Sequence, residues 1–97
     1  MNRDTVLKKL HEHRAEMSTR FGAKRIALFG SAARDELSHD SDVDVLVDFD
    51  PSPTLERYLD LQGYLEHLMG RRVDLVTRSG LKPRAWQTVR RDLIDVP

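Results

Sequence analysis

Cysteine is absent from the 97-residue chain. That excludes disulfides, thiol catalysis and cysteine-ligated metals. Long apolar runs are lacking as well. None approaches the roughly 20 residues needed to span a bilayer, and the first residues, MNRDTVLKKLHEHR, are too polar for a secretory signal peptide. These absences fit a cytoplasmic protein with no membrane partner. Net charge is missing too, since 16 Lys and Arg balance 16 Asp and Glu. A protein built mainly to hold nucleic acid carries a basic excess, so nucleic acid is not expected as the main partner. No repeat, low-complexity tract or linker interrupts the chain. With 39% of residues hydrophobic and 33% charged, neither disorder nor a membrane protein is suggested. The length suits a single domain over residues 1–97, with one core.

Apolar periodicity supplies the elements. Val6, Leu7, Leu10, Arg14 and Met17 lie near helical spacing and predict a helix over 4–20, with Gly22 as its stop. Lys24 to Phe29 is a short apolar run before Gly30 and predicts a buried strand. Ser31 is placed to cap a short helix through Glu36 or Leu37, and a polar loop follows to Ser41. Val43, Val45, Val47 and Phe49 alternate with Asp42, Asp44, Leu46 and Asp48, a period of two that predicts a strand with one apolar face. Pro51 and Pro53 end it. Thr54 is placed to cap a helix reaching Met69, with Leu55, Tyr58, Leu61, Leu65 and Leu68 inward and Gly70 as its stop. Arg72 to Thr77 predicts a third strand, and Ser79-Gly80 a turn. Pro83 opens a final helix carrying Trp86, Val89 and Leu93. The expected fold is α/β (α+β), a small mixed sheet of three or more strands flanked by helices.

The charges are unevenly spread. Asp40, Asp42, Asp44, Asp48 and Asp50 crowd one short stretch, whereas the last third holds Arg71, Arg72, Arg78, Lys82, Arg84, Arg90 and Arg91. Most of those basic residues read as solvated surface, yet a carboxylate cluster beside a basic segment also suits metals and phosphates. Three features bear on that chemistry. Gly30-Ser31 follows a strand and opens a helix, where a side-chain-free backbone, free N–H groups and a hydroxyl suit a phosphate. By itself such a pair is usually a turn and a cap, and it is not a P-loop. Asp42-x-Asp44 puts two carboxylates on one strand face, roughly 6.5–7 Å apart at Cα, a spacing suited to Mg²⁺ or Mn²⁺. The plainer reading is an exposed polar edge, although Asp is depleted in strands and like charges on one face repel. Asp74 is a lone acid inside Val73-Asp74-Leu75-Val76. It either joins the other two, which demands a compensating cation, or pairs with Arg71 or Arg72 at the surface. His11, His13, His39 and His67 have no metal-ligand spacing and read as surface or packing residues. Trp86 reads as core.

Gly30-Ser31-Ala32-Ala33-Arg34, followed by Ser41-Asp42-Val43-Asp44-Val45-Leu46-Val47 and later by Asp74, resembles the signature of the DNA polymerase β-like nucleotidyltransferases: Gly-Ser, a spacer of about ten residues, Asp-x-Asp, and a third Asp on a later strand. The short length, Arg34 and the Val73–Val76 block are similar to its minimal nucleotidyltransferase (MNT) branch, which includes the MntA-type antitoxins. The resemblance covers roughly residues 20–96. One departure is Asp35, where many relatives have Gly after the Arg, a difference that bears on the local loop.

The resemblance implies a nucleotidyltransferase fold, two Mg²⁺ ions bridged by Asp42 and Asp44, and Asp74 as a metal ligand on the side of the acceptor hydroxyl. It implies Gly30 and Ser31 on the β- and γ-phosphates of ATP or another nucleoside triphosphate. Arg34 either contacts a phosphate or covers the helix surface. Larger superfamily members carry an acceptor-binding domain for which this length leaves no room, so the acceptor is expected on a separate molecule. In the MntA-type systems it is a tyrosine of an all-helical HEPN ribonuclease toxin, which receives AMP. Two other readings stand beside this one: a docking module that neutralises its partner without catalysis, and the same chemistry on a different acceptor.

Overall fold

The computed structural model describes residues Met1–Pro97. Two helices open the chain, α1 (Arg3–Glu12) and α2 (Arg14–Phe21). Where the sequence predicts one helix over 4–20, His13 breaks it, at φ −107° and ψ 7°. Its ring Nδ1 lies 2.9 Å from the Lys9 carbonyl, which its own N–H also reaches at 3.3 Å, and a side chain inserted into the ladder ends regular helix. Arg14, which sits at an apolar-spaced position, is not a core residue. Its guanidinium donates to the carbonyls of Ala23 and Lys24, anchoring α2 to the start of the first strand.

Strand β1 (Ala23–Phe29) leads through a single turn, α3 (Gly30–Ala33), to β2 (Val43–Phe49); α4 (Leu55–Met69) then crosses to β3 (Val73–Thr77). Gly22 and Gly70 end α2 and α4 in the left-handed conformation, and Thr54 caps α4 by accepting from the Arg57 N–H. Helix α5 (Pro83–Val89) is shorter than its pattern predicts. It passes into a 3₁₀ turn at Arg90–Asp92, and Ile94–Asp95 forms a fourth strand, β4. Leu93 is therefore extended rather than helical.

The sheet is mixed, in the order β3-β2-β1-β4. β1 runs antiparallel to β2 and β4, whereas β2 and β3 are parallel, as a helical crossover requires. α1, α2 and α4 cover one face. There Val6, Leu10, Met17, Leu61 and Leu65 pack on Ile26, Leu28, Val43, Val45, Val47 and Leu75. At about 25 cal/mol per Å² of apolar burial, this one-sided core is the main source of stability. Leu55 was expected inside but is 72% exposed, at the first residue of α4. The other face is not wholly polar. Leu46, read with the aspartates, is fully buried beside its register partner Ala27, and Val89 of α5 is buried too. Trp86 lies outside the main core. It is half-buried, with the Arg78 guanidinium 3.9 Å over its ring.

Candidate active site

The second face of the sheet carries the chemistry. Period two on β2 turns Val43, Val45 and Val47 to the core and leaves Asp44 on the opposite side. The parallel register then pairs Asp44 with Asp74 across β2 and β3. Like charges side by side oppose ionisation. Partial burial first, then the Asp74 and Asp42 carboxylates, push Asp44 up to about 6, while Arg34 pulls the other way.

Gly30 sits against the same carboxylate. β1 brings Phe29 opposite Asp44, and the chain turns at Gly30 with φ +67°. A Cβ built there would lie 2.1 Å from Asp44 Oδ2, so any side chain would force that carboxylate to move. Glycine is thus required twice, by backbone conformation and by close approach. Gly30, just past the end of β1, forms one contiguous group with Asp44 of β2 and Asp74 of β3.

The remaining candidates are placed differently. Asp42 lies just ahead of β2, near enough for its charge to act on Asp44. Its carboxylate is engaged by the Arg72 Nε at 3.1 Å, a pair exposed at both ends. Arg72 therefore pairs with Asp42 and not with Asp74. No three acidic or histidine side chains are gathered closely enough to form a metal-binding cluster. The Asp44–Asp74 pair fits a hard divalent cation by the chemistry of its donors, with Asp42 at its margin. Ser31 was expected as a cap, but Phe29 holds that position; Ser31 lies within the single turn α3, and its carbonyl accepts from the Glu36 N–H. Arg34 is held by Glu36 at 2.6 Å and by Asp92 of the 3₁₀ turn at 2.7 Å. Asp35 adopts φ +61°, the conformation that glycine favours, and its Oδ1 accepts from the Arg3 N–H at 2.8 Å. Asp tolerates this region better than most residues, so the loop keeps a glycine-like bend.

Some partners were not legible in the sequence. Arg71 donates to the carbonyls of Ser38 and His39 and fixes the loop that leads into Asp42. Asp92 reaches Arg34 across 58 residues. His39, read as a surface or packing residue, is exposed on that loop. Neither surface concavity is lined by Gly30, Asp42, Asp44 or Asp74. Asp44 is half-buried and Asp74 is exposed.

The description "Nucleotidyltransferase domain" matches residues 10–96. The chain belongs to the nucleotidyltransferase family. This nucleotidyltransferase is 47% identical over 87 residues to the protein adenylyltransferase MntA of Thermococcus cleftensis, spanning 90% of this chain and 88% of that relative. A Methanocaldococcus jannaschii relative, also named for protein adenylyl transfer, is 39% identical over 90 residues, 90% of each chain. A solved structure described as a minimal nucleotidyltransferase has a TM-score of 0.81 at 41% identity and covers 97% of this chain and 95% of its own. The fold recurs at 18% identity and TM-score 0.71 in a complex of tri-AMPylated Shewanella oneidensis HEPN toxin with MNT antitoxin, covering 98% of this chain and 71% of that one.

Proposed function

We propose that this nucleotidyltransferase moves AMP from ATP, with Mg²⁺, onto a tyrosine hydroxyl of a HEPN-type partner protein, and so acts as an antitoxin. The observation that carries the reading is the in-register Asp44–Asp74 pair with Gly30 packed against it. Two carboxylates forced together at a cost in electrostatic energy call for a cation. The names of the relatives supply the class of acceptor.

In this scheme Gly30 and Ser31 receive the β- and γ-phosphates, with Arg34 beside them. Asp42, Asp44 and Asp74 hold divalent metal, Mg²⁺ or Mn²⁺. Bound there, such a cation would polarise the α-phosphate and offset charge on the attacking and leaving oxygens. The acceptor oxygen forms a bond to the α-phosphorus as the bond to pyrophosphate breaks. The hydroxyl proton passes to Asp74 or to water.

The test is intact-mass measurement of the protein encoded beside this chain, after incubation with the nucleotidyltransferase, Mg²⁺ and ATP. The expected result is a gain of one or more AMP units, absent when Asp42→Asn is combined with Asp44→Asn. That variant should fold, since each amide keeps the shape and removes a repelling charge; amides are poor ligands for a hard cation. Silencing of the partner by wild type and variant alike, with no mass gain, would replace the enzyme reading with a docking module.

A further inference from the structure

A groove lies at the free edge of β3. Pro53, just ahead of α4, with Leu55 and Tyr58 of its first turn forms one wall, and Leu75, Val76 and Leu81 form the other, around about 400 Å³. Leu55 is 72% exposed and Leu59, one turn along α4, is 51% exposed, so the wall continues as an uncovered apolar surface. We propose that this groove is the docking site for the acceptor protein, taking a segment that is apolar at its centre and acidic beside it and that carries the hydroxyl to be modified.

Order across the sheet supports the assignment, which rests on the transfer reading above. Gly30 and Ser31 follow β1, Asp42 immediately precedes β2, Asp44 belongs to β2, and Asp74 belongs to β3. In-line displacement puts attacking and leaving oxygens on opposite sides of the phosphorus. With the leaving pyrophosphate at the β1 side, the acceptor must arrive from the β3 side, where the groove is. Val76 lies two residues beyond Asp74 on the same strand face, roughly 6.5–7 Å along the chain. The Tyr58 phenol, on the opposite wall, is within reach of the Asp74 charge.

Charge sets the chemistry of the occupant. Arg78, Lys82 and Arg84 flank Leu81 in sequence, and none of them forms a salt bridge. They outnumber the two acids beside the groove, Glu56 of the first turn of α4 and Asp74. A basic stretch of chain running past an apolar groove favours an apolar segment with acidic neighbours.

The experiment uses the full chain, with the protein encoded beside it as acceptor and a short tyrosine peptide as a second acceptor too small to need the groove. Leu55→Glu is the variant. It lies on the first turn of a helix, where an acid is tolerated, and it adds a like charge against an acidic segment. Its KM for the acceptor protein should rise about tenfold or more, with MgATP affinity and transfer to the peptide unchanged. An unchanged KM overturns the groove and leaves the transferase reading intact. If wild type transfers AMP to neither acceptor, the transferase reading fails, and titration calorimetry then decides the groove. Binding of the acceptor protein that weakens about tenfold in Leu55→Glu sustains it; equal binding, or none by wild type, overturns it.

Discussion

Gly30 and Asp35 adopt the same left-handed conformation five residues apart and answer it differently. At Gly30 the space is taken by the Asp44 carboxylate, which a Cβ would push aside. Gly30→Ala is expected to destabilise the protein by about 1–2 kcal/mol from the backbone alone, and to displace the Asp44 carboxylate as well. Urea unfolding should show the loss, and AMP transfer should fall further than the loss of folded protein explains. A variant that kept full transfer would separate Gly30 from the site. At Asp35 the side chain is free to turn outward and is held by the Arg3 N–H. The bend is therefore kept without a glycine.

At the scale of elements, the exposed edge of β3 is managed by α4. Tyr58, Gln62 and Glu66 recur every fourth residue on one stripe of the helix. The Val73 N–H donates to Glu66 at 3.1 Å, the Val73 carbonyl accepts from Gln62 at 3.3 Å, and the Leu75 carbonyl accepts from the Tyr58 hydroxyl. Unpaired edge groups otherwise template association with other chains. Tyr58→Phe and Gln62→Met are each expected to cost about 1 kcal/mol, the net value of one hydrogen bond. The double variant should also self-associate, measurable by light scattering at rising concentration. Unchanged stability and a monodisperse double variant would show that water serves those carbonyls equally well.

For the whole molecule, the raised Asp44 carboxyl links stability to pH. Its folded value of about 6 exceeds the ordinary 3.8, so the native state binds the proton more tightly than the unfolded chain does. The resulting stability is present below about pH 4 and is lost as pH rises through about 6. Asp95 and Glu16 are shifted down by Arg25 and Arg20; their contribution has the opposite sign and disappears in acid. The useful quantity is therefore the difference between wild type and Asp44→Asn. In chelator, the Tm advantage of Asp44→Asn should grow between pH 4.5 and 7 and then level off. With Mg²⁺ and ATP the wild type should recover, because a cation competes with the proton for the same oxygens. A difference independent of pH would mean that Asp44 titrates normally.

Local pattern alone determined much of this protein. The two-residue period of β2, the caps and stops at Thr54, Gly22, Gly70 and Pro83, and the mixed helix–strand order depend on neighbours within a few positions, and sequence displays those directly. The spacing of Gly30-Ser31, Asp42-x-Asp44 and Asp74 pointed to the family for the same reason. Tertiary structure decided what depends on distant partners. Leu46 and Leu55 exchanged their expected surroundings because burial is set by what covers a residue, not by its period. β4 is two residues long and exists only because β1 offers it an edge. Arg34 is bound to Asp92, and Asp42 to Arg72, because opposite charges brought together by folding pair whatever their separation along the chain. The register that sets Asp44 beside Asp74 belongs to this class as well. The sequence supplied both acids, but only the crossover through α4 could place them side by side.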